Sequence, residues 1–260
     1  MLIEVADVSK AYPQQQASPA PAIENISFSI AAGEFVCILG PSGCGKSTLL
    51  NLIAGFIQPD RGRINFAGQP VLTPGPERGV VFQEATLFPW LNIRQNIELG
   101  LKAAGIPRAR HQQIVADSLA QVDLNCSGEA YPHQLSGGMK QRVALARVLA
   151  LKPRLLLMDE PFSALDAETR EHLQDQLLQI CANQQQTVLF VTHSVEEAAY
   201  LADRVIIMAQ PPASLYSEVS IPRDQPRSRT AKELSMTILR LRTTLKELAR
   251  FVPEHKETDY

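Results

Sequence analysis

Residues 40–48 read GPSGCGKST, and the segments on either side decide how the chain folds around them. Ahead of them, FVCIL at residues 35–39 is a continuous apolar run, the pattern of a parallel strand buried on both faces. Behind them, residues 46–54 read as a helix that closes at Gly55 and the turn Pro59-Asp60-Arg61-Gly62. Strand, glycine-rich turn and helix in that order are the confirming context for GxxxxGK[ST], a phosphate-binding loop. Glycines are needed because a side chain would keep backbone N–H groups from curling around phosphate oxygens, and the following helix adds its positive end. Gly40, Pro41, Ser42, Gly43, Cys44, Gly45, Lys46, Ser47 and Thr48 are therefore candidate contacts for a nucleotide polyphosphate. Lys46 is placed to neutralise the β- and γ-phosphates, and the Ser47 hydroxyl to ligate Mg²⁺. Cys44 reads as a small residue that fits the loop, although nearby positive charge would favour its thiolate.

A second segment, LLLMDEP at residues 155–161, is an apolar strand ending in two carboxylates. Adjacent strand residues point opposite ways, so Asp159 and Glu160 cannot share one role. One can hold the Mg²⁺ hydration shell while the other faces the γ-phosphate and the attacking water. In-line phosphoryl hydrolysis needs that division, because the protein mainly positions groups and stabilises charge.

Around these segments the chain reads as strands over residues 1–12 and 23–30, with a Pro/Ala/Gln loop, PQQQASPAPA, between them. Residues 63–82 form a second strand-rich stretch expected to return to that first sheet. Helical periodicity dominates from about residue 84 to 151, broken at Gly105-Ile106-Pro107 and Ser127-Gly128. Residues 155–158 and 188–191 are two more buried strands, with a helix over about 167–181 between them. Strand–helix alternation with loop chemistry at strand C-terminal ends implies a mostly parallel α/β sheet, interrupted by an inserted helical subdomain. After Met208 come QPPAS, the Pro/Arg-rich IPRDQPRSRT, and a last helix whose Leu234, Ile238, Leu241, Leu245 and Leu248 form one apolar stripe. That stripe could pack on its own domain, pair with its twin or bind a regulator. Burying five aliphatic side chains at about 1.5–3 kcal/mol each is ample reason for plain packing.

At 260 residues, 45% hydrophobic and 20% charged, the composition is that of an ordinary globular protein of one to two domains. A net charge of −2 gives no basic field for nucleic acid. No apolar run approaches the roughly 18–20 residues that span a bilayer, and MLIEVADVSK lacks the basic-then-apolar order of a signal peptide. Cys37, Cys44, Cys126 and Cys181 are scattered without a CxxC pair, which fits a reducing cytoplasm.

LSGGMKQR at residues 135–142 resembles the signature sequence of the ATP-binding-cassette (ABC) ATPases, and with the two other segments it extends that resemblance over about residues 2–222. The resemblance implies ATP hydrolysis with Mg²⁺ by an α/β P-loop NTPase of ABC type, with an N-terminal antiparallel β-subdomain and the helical subdomain inserted at about 84–151. Residues 223–260 are then a linker and the C-terminal amphipathic helix. In that family the signature contacts the γ-phosphate held by the other cassette of a head-to-tail dimer, and Ser136, Gly137 and Gly138 match it. A Ser hydroxyl and bare N–H groups at a helix start do form an anion site. By the same resemblance Tyr12 stacks on adenine, Gln83 reaches Mg²⁺ and the water, and Asp166 crosses the dimer interface. His193 contacts the γ-phosphate, Asp159 belongs to the metal site, and Glu160 is the general base.

GVVFQEATLFPWLNIRQNIELGL is similar to the cassettes of nitrate, sulfonate and taurine importers, where Pro-Trp follows the glutamine, as Pro89 and Trp90 do here. An exposed Trp90 would form a floor for a partner's coupling helix; a buried core tryptophan is the alternative. The resemblance implies a second cassette, two membrane permease subunits, indirectly a solute-binding protein, no nucleic acid, and a peripheral place on the cytoplasmic face of the inner membrane. A soluble ABC ATPase acting on nucleic acid or the ribosome is the alternative. It tends to show two cassettes in one chain or a long coiled-coil insertion, and neither is seen. A small-molecule kinase has no need of LSGG and a switch histidine together.

Overall fold

β3 (Phe35–Leu39) is buried at every position and forms the centre of a six-stranded sheet. The computed structural model describes residues 1–12, 21–124, 128–209, 213–222 and 227–251. β8 (Thr187–Thr192) and β9 (Arg204–Met208) flank β3 in parallel. Beyond β8 come β7 (Leu155–Asp159) and β6 (Arg78–Val81), also parallel, and β10 (Leu215–Ser220) closes the other edge antiparallel to β9. The continuous apolar runs of the sequence are these central strands, covered on both faces.

A second sheet, entirely antiparallel, has the order β2-β1-β4-β5, from β1 (Ile3–Ala11), β2 (Pro21–Ile30), β4 (Arg61–Phe66) and β5 (Gln69–Pro70). The stretch over residues 63–82 divides between the sheets. β4 and β5 join the antiparallel one, but β6 does not return there. It is recruited beside β7, where the Glu77 carbonyl accepts the N–H groups of Arg154 and Leu155 at 2.9 and 3.0 Å. β2 begins at Pro21, two residues before the sequence expectation.

Seven helices cover the sheets among the described residues: α1 (Lys46–Ala54), α2 (Ile93–Ala103), α3 (His111–Gln121), α4 (Gly137–Leu149), α5 (Ala167–Gln184), α6 (Val195–Leu201) and α7 (Lys232–Phe251). The two-residue period of the strands divides the interior into two cores. Val36, Ile38, Leu155, Leu157, Leu189 and Val191 pack with α1 and the antiparallel sheet. Cys37, Leu39, Leu156, Met158, Val188 and Phe190 face the remaining helices. α2 to α4 fall between β6 and β7 in sequence, and Gly79 lets α4 lie close on β6, since a Cβ there would stand 2.3 Å from Val148 Cγ1. The stripe of α7 turns inward onto α6, burying Leu241 and Leu248 and half-burying Leu234, Ile238 and Leu245. Residues 13–20, Ser127, 210–212 and 223–226, on which parts of the loop, turn and linker expectations fall, lie outside the described residues, as do 252–260.

Candidate nucleotide site

Four segments meet where β3, β7 and β8 end. The loop from β3 to α1 turns through two left-handed glycines, Gly43 at φ +79° and Gly45 at φ +90°. A Cβ on Gly45 would stand 2.7 Å from the Ala22 carbonyl oxygen and 3.1 Å from Ala213 Cβ, and one on Gly40 would meet Cys44 Sγ at 2.8 Å. The loop therefore admits no side chains there and keeps its backbone bare, as a phosphate cradle requires. Cys44 is wholly buried beneath the loop, and burial pushes its thiol up despite the opposing pull of Lys46. It fills space in the core beneath the loop.

Lys46 is 5% exposed. Its Nζ donates to the Gly40 and Pro41 carbonyls, each at 2.9 Å, and lies 3.8 Å from Glu160 Oε1. A buried cation needs anionic compensation, and one carboxylate oxygen at that distance leaves room for more. Asp159, ending β7, has its carboxyl pushed up by burial, opposed by a hydrogen bond from the Ser47 hydroxyl. This carboxyl and hydroxyl are hard oxygen donors, the chemistry that suits Mg²⁺, and the bare loop with its buried lysine suits the polyphosphate that Mg²⁺ accompanies.

Glu160 turns the other way. Its backbone sits at φ +42°, a left-handed conformation costing a non-glycine residue about 1–2 kcal/mol. Two contacts from the β8 side hold it there: Glu160 N donates to the Val191 carbonyl at 2.9 Å, and Oε2 lies 2.7 Å from His193 Nδ1. The His193 tautomer that matches this contact is the one with the proton on Nδ1, because a carboxylate oxygen accepts. Gln83, just past β6, reaches the same turn, with Nε2 3.3 Å from Ser163 Oγ, which itself donates to the Glu160 carbonyl at 3.0 Å.

Ser136 and Asp166 cap helices. Ser136 Oγ accepts from Met139 N at 3.3 Å, and Asp166 Oδ1 accepts from Thr169 N at 2.9 Å. These two caps adjoin, because a Cβ on Gly138 would lie 2.6 Å from Thr169 Cγ2. Ser136 and Gly137 are exposed, so the helix start faces outward.

The ABC transporter profile matches residues 23–163, more than half of the chain. The chain belongs to the ABC transporter family. It is similar to the nitrate import ATP-binding protein NrtD of Synechococcus elongatus, 48% identical over 239 residues that cover 91% of this chain and 87% of that protein. It is also similar to the taurine import ATP-binding protein TauB of Chromobacterium violaceum, 48% identical over 215 residues, 83% of this chain and 81% of the other. Among solved structures it resembles a dimeric ATP-binding cassette in a post-hydrolysis state bound to ADP and Pi, with a TM-score of 0.75 and 30% identity over 85% of this chain and all of that one. The chain is thus an α/β cassette ATPase.

In this cassette Tyr12 follows β1 and is 42% exposed. Trp90 is 70% exposed, its ring 5.5 Å from that of Phe88, so it is not a core tryptophan. Phe56 and Phe82 stack at 6.1 Å and form an exposed aromatic pair, with Phe82 next to Gln83 in the chain.

Several residues given no role in the sequence analysis support the site from behind. Gln141 and Arg147 on α4 hold the Gln83 loop, donating to the Phe82 carbonyl at 3.3 Å and the Thr86 carbonyl at 3.0 Å. Glu197 lies behind His193, its carboxyl pushed up by burial and accepting from Thr192 Oγ1 at 2.5 Å and from Gln174 Nε2 at 3.2 Å. The S-x-x-E pattern of Ser194 and Glu197 was the available signal, since it marks a helix start. Ser194 Oγ does accept from Glu197 N, at 3.2 Å.

Proposed function

We propose that this cassette is the ATP-hydrolysing subunit of a membrane importer for a small solute of the nitrate, sulfonate or taurine kind. The observation that carries the reading is the convergence of Lys46, Glu160 and His193 at the ends of three adjacent parallel strands. The backbone of residues 40–48 binds the polyphosphate, Lys46 gathers β- and γ-phosphate oxygens, and Tyr12 stacks on the base. Ser47 and Asp159 hold Mg²⁺, with Gln83 beside them. Bound there, Mg²⁺ would supply positive charge against the developing charge of the phosphates.

Glu160 takes the proton of the attacking water. With Oε2 engaged by His193, Oε1 is the free oxygen, and it faces Lys46. The water oxygen bonds to the γ-phosphorus as the bond to ADP breaks, and His193 keeps the base oriented while contacting the γ-phosphate. Ser136, Gly137 and Gly138 serve the nucleotide of a second cassette, with Asp166 at the interface. The outward-facing, capped start of α4 supports that role, and the similar solved cassette is itself dimeric. Two permease subunits, fed by a solute-binding protein, dock over Trp90, with the cassette peripheral on the cytoplasmic face of the membrane. Residues 1–222 form the cassette proper and 223–260 its appendage. Among the described residues no helix is long and apolar enough to cross a membrane.

Glu160→Gln tests this. It should retain ATP binding and favour a closed dimer while losing about 10²–10⁴-fold in turnover. Wild-type turnover would remove Glu160 from the role.

A further inference from the structure

Two hydrogen-bonded chains begin in the C-terminal segment and end on the residues that bracket His193. The first is largely buried. Arg229, preceding α7, lies 3.8 Å over the Tyr200 ring and donates through Nη2 to Asp175 Oδ1 at 2.8 Å and Gln174 Oε1 at 3.1 Å. The Gln174 amide passes the connection on to Glu197 Oε1, and Glu197 Oε2 accepts the Thr192 hydroxyl. That hydroxyl accepts the N–H of Ser194 at 3.0 Å, closing the backbone around His193. Gln174, Glu197 and Thr192 are 3%, 7% and 1% exposed, so each depends on this chain for its hydrogen bonds. The second chain runs over the surface, from Arg242 on α7 to Glu196 Oε1 at 2.5 Å, with Glu196 Oε2 accepting from Ser194 Oγ at 3.1 Å.

The two chains differ in weight. Arg242 and Glu196 are both more than half exposed, and such a pair is screened and contributes little. Buried polar chains polarise one another and fix geometry. Geometry is what His193 needs, because its ring must meet Glu160 at hydrogen-bond distance and small misplacements in a site cost large factors in rate.

We propose that Arg229, acting through Gln174, Glu197 and Thr192, is a positioning residue for His193, so that the C-terminal segment contributes to ATP turnover and not only to packing. This rests on the reading of His193 as the partner of Glu160 in hydrolysis.

Full-length chain carrying Arg229→Ala, Arg242→Ala, His193→Ala or Arg229→Ala with His193→Ala separates the possibilities by ATPase kinetics and thermal melting. Arg229→Ala should lower kcat by about tenfold with KM for ATP nearly unchanged. Arg242→Ala should change kcat less than about twofold. In the His193→Ala background Arg229→Ala should add no further loss, because the two act on one unit. Thr192→Val should reproduce the Arg229→Ala defect, and Thr192→Ser, which keeps the hydroxyl, should restore kcat. Wild-type kcat in Arg229→Ala overturns the proposal, and so does a full multiplicative loss in the double variant. Undiminished kcat in His193→Ala overturns the underlying reading instead, and the proposal with it.

Discussion

His193 Nδ1 lies 2.7 Å from Glu160 Oε2, joining the residue after β8 to the residue after β7 across 33 positions of sequence. Parallel strands make this possible. β7 and β8 are in register, with Asp159 opposite Val191, so residues just past their ends emerge side by side. Val191 also takes the Glu160 N–H, and the left-handed turn at Glu160 is thereby held from both its backbone and its side chain. The sheet itself thus orients the carboxylate.

The phosphate loop gives a prediction that separates strain from steric overlap. Gly43 and Gly45 both have positive φ, but a Cβ on Gly43 meets nothing within 4 Å while one on Gly45 meets backbone at 2.7 Å. Gly43→Ala should therefore cost the nucleotide-free fold only the left-handed strain, about 1–2 kcal/mol. Gly45→Ala should cost more and abolish ATP binding, because Ala22 and the loop must separate. Urea unfolding and nucleotide titration of the two variants check this, and equal effects would refute the distinction.

Lys46→Ala removes a buried charge whose partners within the protein are two carbonyls and one distant carboxylate oxygen. Such a substitution should leave the fold standing and weaken ATP affinity by about tenfold or more, the value of a charge-assisted contact of 1.5–3 kcal/mol. Equilibrium binding with a fluorescent ATP analogue, alongside melting of the nucleotide-free protein, reads both quantities.

Much of this was legible in the sequence where chemistry forces local pattern. Gly45 and Lys46 had to follow a buried strand, and Asp159 and Glu160 had to end one. The bare helix start at Ser136 was also visible, but its use across a dimer came from the family resemblance. What could not be read was pairing between distant segments. β6 looked like a return to the first sheet because four residues carry no sign of their neighbour, and parallel pairing with β7 is a tertiary choice. Glu197, Gln174 and Arg147 were missed for a related reason. Charged and amide residues on a helix read as solvated, and only the fold shows Glu197 turned inward to Thr192.

Trp90 is the exposed residue most at odds with a solitary existence. Its loop is rigid, since Asn96 is fully buried and donates to the carbonyls of Phe88, Leu91 and Asn92 at 3.0–3.2 Å. A hydrogen-bonded loop presenting an exposed indole fits the permease contact proposed for it. Trp90→Ala should leave ATPase activity of the isolated cassette unchanged, and should reduce solute uptake and co-purification with the permease by about tenfold or more. Undiminished uptake would move the docking surface elsewhere, with the stacked Phe56 and Phe82 the next candidates.

Glu197 supplies a pH-dependent prediction. Burial raises its folded-state pKa above the ordinary 4.5, outweighing the Thr192 hydrogen bond that favours the charged form. Below about pH 4.5 the carboxyl is protonated in both states and imposes no penalty. As pH rises from there, the unfolded chain releases the proton first. The folded state then binds more protons than the unfolded one, so stability falls until the pH passes the folded pKa and levels off. Glu197→Gln cannot ionise and escapes that fall, although its amide offers one acceptor oxygen to two donors, Thr192 Oγ1 and Gln174 Nε2. Any change in hydrogen bonding adds an offset that does not vary with pH, so the informative quantity is slope. The stability difference, Glu197→Gln minus wild type, should grow in favour of the variant from pH 4.5 upward and then become constant. Parallel stability curves for the two proteins across that window, measured by thermal or urea unfolding, would show that Glu197 is solvated or already charged in the folded state.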